Sequence, residues 1–226
     1  MRLSKRNELH KLFGIQRRLK KTFNLLVAAH GCNFAPSKRL RIAIDRHHTA
    51  VSSKAAVISP PASIVLQTVV NASAKALVNE YWWHYGRIST WNSQMSRLEI
   101  VETVMIARET AADQASQHIS RRDFVSVCSR HEVLDTDRMV EDYYMCYIST
   151  EFPGAPPEGE YVRGAYHPSG FRFSPNGDSS TKFQFVLNVD LKIHALLKPF
   201  IRVFMIPSMV EYANCLRNYA PMLKKT

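Results

Sequence analysis

The stretch TKFQFVLNVD, residues 181–190, sets Phe183, Phe185, Leu187 and Val189 on alternate positions, with Lys182, Gln184 and Asn188 on the other set. Successive strand side chains point to opposite faces, so the pattern predicts a half-buried antiparallel strand. Working back toward the N-terminus, similar signals recur. YVRGAYHPSGFRF (161–173) reads as two short strands around His167, Pro168, Ser169 and Gly170, preceded by the Pro/Gly loop FPGAPPEGE (152–160). EDYYMCYIS (141–149), RDFVSVCSR (122–130) and RLEIVETVMIARET (97–110) read as further strands, the last as a hairpin or two successive strands. AKALVNEYWWHYG (74–86) reads as a helix, and IVLQTVV (64–70), AVSSKAAVI (50–58) and LRIAI (40–44) as strands before it.

Beyond residue 190 the period changes. Met205, Met209, Tyr212, Leu216, Tyr219 and Leu223 fall at steps of three and four, the stripe of one helix face. Pro207 is expected to kink or restart this helix, because it lacks an N–H and clashes with the preceding turn. Ser208 and Glu211 fit a capping box just after it. The order of helix, strands, helix, many antiparallel strands and a long helix is an α+β layout.

Composition narrows the function. The 226 residues suit one domain with a sizeable core. Residues 1–46 hold twelve Lys or Arg against two acids, so nearly all of the net charge of +11 sits in this segment. The body is neutral, without the basic face and interleaved aromatics of a nucleic-acid binder. No apolar run approaches the ~20 residues that span a bilayer. Cys32, Cys128, Cys146 and Cys215 show no C-x-x-C spacing, which predicts reduced thiols in a cytosolic protein.

Five segments in the same order resemble the START domain family of lipid-binding proteins. They are VVNASAKALVNEYWWHYGRISTWN (69–92), RRDFVSV (121–127), YVRGAYHPSGF (161–171), NVDLK (188–192) and VEYANCLRNYA (210–220). Residues 47–226 are similar to the family's domain, and 1–46 form a basic N-terminal segment with a first helix and strand. Among its members, the small soluble sterol carriers are most similar. The resemblance implies a helix-grip fold: a curved antiparallel sheet around a long C-terminal helix, enclosing a lipid tunnel. It implies one lipid, a sterol first, carried between membranes, with no catalysis, cofactor or metal. A lipid sensor that does not transfer its ligand, or a phospholipid carrier, is the alternative. Ile193 stands where the family usually has glycine, and Ser169 where cysteine is frequent.

The resemblance also supplies site residues. Glu109 lies thirteen residues before Arg122, where the steroidogenic members place a tunnel acid, but the arginine they set against it is here Cys128. Arg108 is no substitute, because neighbouring strand residues face opposite ways. The helix stripe of Met205, Met209, Tyr212 and Leu216 is expected to close the tunnel. Tyr144 with Cys146, and Phe183 with Phe185, share strand faces and are candidate tunnel wall. The loop carrying Leu134 and Met139 matches the position of a gating loop. Arg122 and Asp123 are expected to tie a strand end to its neighbours.

Cys128 with His131, or Cys146 with His167, could form a thiol–imidazole pair. His47, His48 and His118 have no partners at metal-ligand spacing. The helix Ser4–Ala29 carries Arg17, Arg18, Lys20 and Lys21 off its apolar face. It is read as a packed helix that also meets anionic membrane surfaces, or as a mitochondrial presequence. The expected protein is a cytoplasmic monomer in transient contact with membranes, or a mitochondrial one.

Overall fold

The computed structural model describes residues 41–45, 62–102, 106–111, 120–193 and 201–225. The first helix of the sequence reading, the strand over 50–58 and the three histidines His47, His48 and His118 lie outside them.

Among the described residues ten strands form one sheet: β1 (Arg41–Asp45), β2 (Ala62–Val70), β3 (Met95–Glu102), β4 (Ile106–Ala111), β5 (Arg122–Leu134), β6 (Val140–Ser149), β7 (Val162–Arg163), β8 (Ala165–Tyr166), β9 (Ser169–Pro175) and β10 (Thr181–Asp190). The main path runs β1-β2-β10-β9-β6-β5-β4-β3, antiparallel throughout; β8 adds to β10, and β7 pairs with β5 in parallel. Three α-helices among the described residues accompany it: α1 (Ala74–Trp83), the short α2 (Ile88–Trp91) and α3 (Ile201–Tyr219). Among the described residues this is the curved antiparallel sheet with a long C-terminal helix that the helix-grip reading expects.

The alternation in β10 has the predicted effect. Phe183, Phe185, Leu187 and Val189 all enter the main core, while Val186 belongs to a second cluster on the other face. Tyr81 of α1 and Tyr212 of α3 meet over this core through their hydroxyls. Phe171 and Phe173 of β9 lie edge-on to Tyr81, at centroid distances of 4.9 and 5.2 Å. Such pairs contribute about 0.5–1.5 kcal/mol each beyond the area they bury.

Local rules explain where α1 sits and what holds it. Ser73 caps its N-terminus, its Oγ accepting from the Ala76 N–H at 3.2 Å. Near its C-terminus the buried Glu80 accepts from Arg87 at 2.8 Å and from the Tyr219 hydroxyl at 2.7 Å, tying α1 to the end of α3. Trp91 stacks on Tyr219 at 5.1 Å.

The expected restart at Pro207 does not occur: α3 is continuous from Ile201 to Tyr219 with Pro207 inside it. Pro207 itself is exposed, on the solvent side of the helix. Ser208 and Glu211 do not form a cap. Glu211 instead accepts from Ser93 and from the Cys215 thiol.

The strand opening RRDF is a tie, as its residues suggested. Arg122 Nε donates to the Leu191 carbonyl at 3.1 Å, joining β5 to the segment after β10. Asp123, fully buried, accepts from Arg163 Nε and Nη2 and from Arg108 Nη2, each at 2.8 Å. Arg108 also pairs with Glu158 at 2.5 Å. This network lies on the outer face of β4 and β5, opposite the core. Gly164, two residues before Tyr166, must lack a Cβ: one would stand 2.7 Å from Phe124 Cζ and closer still to its Cε1. Phe124 is stacked on Tyr166 at 4.3 Å and has nowhere cheap to go.

The two departures from the family pattern have local accommodations. Ser169 is fully buried; its Oγ lies within hydrogen-bond distance of the His167 and Asn188 carbonyls and accepts from the Asn188 N–H. The left-handed backbone turn falls on Lys192, at φ 52°, and not on the β-branched Ile193. Asp190 holds that turn by accepting from both the N–H and the Nζ of Lys192.

Candidate functional site

A cavity of about 250 Å³ lies between the concave face of the sheet and the first half of α3. Phe185, Leu187 and Val189 come to its wall from β10, Phe171 from β9, Tyr147 from β6, and Met205, Met209 and Tyr212 from α3. The wall is apolar because the same alternation that buries the core continues past it. Glu109 interrupts it.

Glu109 sits on the inner face of β4, 3% exposed, paired across the ladder with Phe124 and Leu98. Its carboxyl is not bare. Oε1 accepts from the Tyr85 hydroxyl at 2.6 Å and Oε2 from the Tyr166 hydroxyl at 2.8 Å. Burial raises its pKa above the ordinary 4.5, and the bonds from Tyr85 and Tyr166 only partly offset this. Burial, together with the nearby Glu109, pushes both tyrosines up as well. Where the steroidogenic pattern has an arginine, this protein sets two phenols against the acid.

That arrangement fixes a pH dependence. A carboxyl that titrates higher when folded keeps a proton that the unfolded chain has already lost. Its contribution to stability is therefore fully present below pH 4.5 and is lost as pH rises through the folded value. Urea unfolding of Glu109→Gln is expected to show a shallower decline above pH 4.5 than wild type; parallel curves would mean that the acid is not perturbed. Glu109→Ala leaves two buried hydroxyls without an acceptor and should cost about 1–3 kcal/mol for each.

The other predicted site residues divide by position. Phe185, Met205, Met209 and Tyr212 line the cavity with Glu109. Cys128 shares the inner face of β5 and lies close enough to Glu109 to feel its charge, but it is core, not cavity wall, and burial raises its thiol. Phe183 and Leu216 are fully buried in the core beyond the cavity.

Two readings need correction. Tyr144 and Cys146 face away from the cavity and pack with Val65 and Val186 on the outer face. The inner face of β6 carries Tyr143, Met145 and Tyr147 instead. Leu134 and Met139 do not border the cavity. They flank a tight turn in which Asp135 Oδ1 accepts from the Asp137 and Met139 N–H groups, with Arg138 at φ 61°. That turn stands ten residues along β5 from the lining residue Phe124, roughly 30 Å at ~3.3 Å per residue.

The spacing of Cys128 and His131 does not make a thiol–imidazole pair either. His131 is three residues from Cys128, hence on the other face of β5, and its Nε2 meets Ser129 Oγ. Tyr85, Tyr147 and Tyr166 are among the wall residues that the sequence reading passed over. Tyr147 had a signal, as the alternate partner of Met145; the other two did not.

The START domain matches residues 51–221. The chain belongs to the START domain family. It is 26% identical over 159 residues to the zebrafish (Danio rerio) mitochondrial steroidogenic acute regulatory protein, across 68% of this chain and 53% of that one. The Xenopus laevis steroidogenic acute regulatory protein is 28% identical over 160 residues, with the same coverage. The chain thus spans about half the length of these relatives. Among solved structures, human StAR-related lipid transfer protein 5 superposes with a TM-score of 0.74 over 94% of this chain and 98% of that one, at 17% identity, a likeness of fold. Membership of the START domain family places the chain among lipid-binding and lipid-transport domains, a family that is generally non-enzymatic. Among the described residues no helix is long and apolar enough to cross a membrane.

Proposed function

We propose that this START domain binds a single lipid, a sterol in the first place, in the cavity beneath α3 and carries it between membranes. The observation that carries the reading is the cavity itself: an apolar space walled by Phe185, Leu187, Met205 and Met209, with one buried acid held by two tyrosines. Glu109, Phe185, Met205, Met209 and Tyr212 are its lipid contacts. The protein acts as a cytoplasmic monomer and carrier, not an enzyme, and its basic N-terminal segment meets anionic membrane surfaces, where each Lys or Arg contributes about 1 kcal/mol.

The physics is shielding. Each buried methylene is worth ~0.8 kcal/mol, so a sterol in water costs on the order of 10 kcal/mol or more. An apolar cavity removes that cost from the transit step. Its affinity need only match a membrane's, since a much better site would never release its cargo. At about 250 Å³ the cavity lies just under the ~300–1,000 Å³ usual for ligand sites, so a sterol must widen it. The unbranched Met205 and Met209 are wall side chains that can re-pack to allow this.

Transfer of a fluorescent sterol between vesicles tests the reading, with unlabelled sterol and phosphatidylcholine as competitors. Transfer blocked by sterol alone is the expected result. Block by phosphatidylcholine would reassign the cargo to phospholipids. Tight binding without transfer would make the protein a sensor, and no binding would sink the carrier reading.

A further inference from the structure

Glu109 is the obvious place for a ligand's polar group, yet each of its oxygens already accepts from a tyrosine. Elsewhere in the same wall, two polar atoms have no protein partner: Asn92 Nδ2 and Gln94 Oε1. Asn92 is 1% exposed. Its amide orientation is fixed by the turn it belongs to, because Asn92 Oδ1 accepts from the Gln94 N–H at 3.1 Å. The nitrogen is therefore a donor for which the turn has no use. Trp91 Nε1, one residue earlier, is likewise buried and unpartnered. A donor and an acceptor withdrawn from water and left unmet are costly, and native structures rarely keep them without a ligand or an ordered water to meet them.

We propose that Asn92 and Gln94 form a hydroxyl-receiving subsite of the cavity. The ligand's hydroxyl oxygen accepts from Asn92 Nδ2, and its hydrogen is donated to Gln94 Oε1. The inference rests on the sterol-carrier reading and deepens it to a neutral alcohol. The pairing is selective by chemistry. A ketone can use only the Asn92 donor, an ammonium only the Gln94 acceptor, and a carboxylate or phosphate would set its charge against the Gln94 carbonyl oxygen.

The subsite also orients the cargo. Asn92 and Gln94 stand in the turn between α2 and β3, whereas Glu109 pairs with Leu98, four residues beyond Gln94. At ~3.3 Å per residue the two polar spots lie on the order of 10 Å apart. The hydroxyl is thus at the end of the cavity by α2, with the apolar body running past Glu109.

The test is displacement of a bound fluorescent sterol by cholesterol, its 3-ketone and its 3-deoxy hydrocarbon, in wild type, Asn92→Leu and Gln94→Leu. Wild type is expected to prefer the alcohol over the hydrocarbon by about tenfold or more, with the ketone between them. Both variants should still bind the hydrocarbon and lose most of that preference. Asn92→Leu also loses the bond to the Gln94 N–H; should it fail to fold, Gln94→Leu, which keeps that backbone donor, carries the test. A wild type indifferent to the hydroxyl, or variants that keep the full preference, would overturn the subsite while sterol binding itself stands. That result would give the orphan atoms to water, or the hydroxyl to Glu109. Failure of wild type to bind any of the three would overturn the carrier reading and the subsite with it.

Discussion

Asp123→Ala is expected to lower the melting temperature by about 10 °C, more than any other single change to a charged residue on the outer face. The carboxylate is fully buried and meets two guanidiniums, Arg163 through both its oxygens and Arg108 through one. Arg108 is itself only 7% exposed. Removing the acid leaves those cations in place with part of their pairing gone, a change that costs about 3–5 kcal/mol for a buried pair. For a domain of this length, each kcal/mol moves the midpoint by roughly 2–4 °C. Asp123→Asn keeps one acceptor oxygen and should fall between. The acid limb of the pH profile has the same origin. Burial alone would raise this carboxyl, but the bonds from Arg163 and Arg108 outweigh burial and hold it below the ordinary 3.8. A depressed carboxyl binds fewer protons folded than unfolded. Its stabilisation is therefore present above pH 3.8 and is lost as pH falls through the folded value. Glu109, one pair of residues along the same ladder, acts in the opposite sense. Thermal melts of Asp123→Ala within two or three degrees of wild type would show that the network contributes little.

Leu187→Trp is expected to abolish most sterol uptake, at least tenfold, while leaving the fold intact. Leu187 stands on the inner face of β10 and borders the cavity. A larger ring there occupies space that the native side chains leave open, so the variant should melt at or above the wild-type temperature, as cavity-filling changes commonly do. The two readouts must part: binding falls and stability does not. If both fall, the ring has overpacked the core, which costs about 1–3 kcal/mol, and the space was not available. Unchanged uptake would mean that the lipid lies elsewhere. Leu216→Asp is unsuited to this question. Leu216 is fully buried outside the cavity, so an aspartate there would unfold the helix packing before it reported on lipid.

The sheet and its helix were legible because their periods are strong. Phe183 to Val189 alternate without a break, and Met205 to Leu216 step by three and four, which fixes faces without knowledge of partners. Arg122 and Asp123 were legible as a tie for a simpler reason: charges beside a β-branched run need partners. The inner face of β6 was not legible. Both of its alternations are apolar, Tyr143-Met145-Tyr147 and Tyr144-Cys146-Ile148, because both faces are covered. On the neighbouring stretch of sheet, Phe152 and Ala155 from the β6–β7 loop pack over Ile106, Val125 and Val127. Hydropathy then has no contrast to report. The partners of Glu109 were hidden by distance along the chain, 24 residues to Tyr85 and 57 to Tyr166. Pro207 did not restart the helix, because a proline removes one N–H and crowds one turn, which α3 absorbs without a break.

The two-sided burial of β6 has an evolutionary consequence. One strand is the boundary between two sets of selective demands. If the cavity is the lipid site proposed above, substitutions at Tyr147 and its inward neighbours on β9 and β10 change what it can hold, and those at Tyr144, Cys146, Val65 and Val186 change how well the sheet is backed. Because the sets are separated by the thickness of a single backbone, the outer set can drift without reshaping the inner face, whereas the inner set serves the main core and the cavity wall together. A one-residue deletion in the strand would merge the two histories at once, since it would turn every outward side chain in.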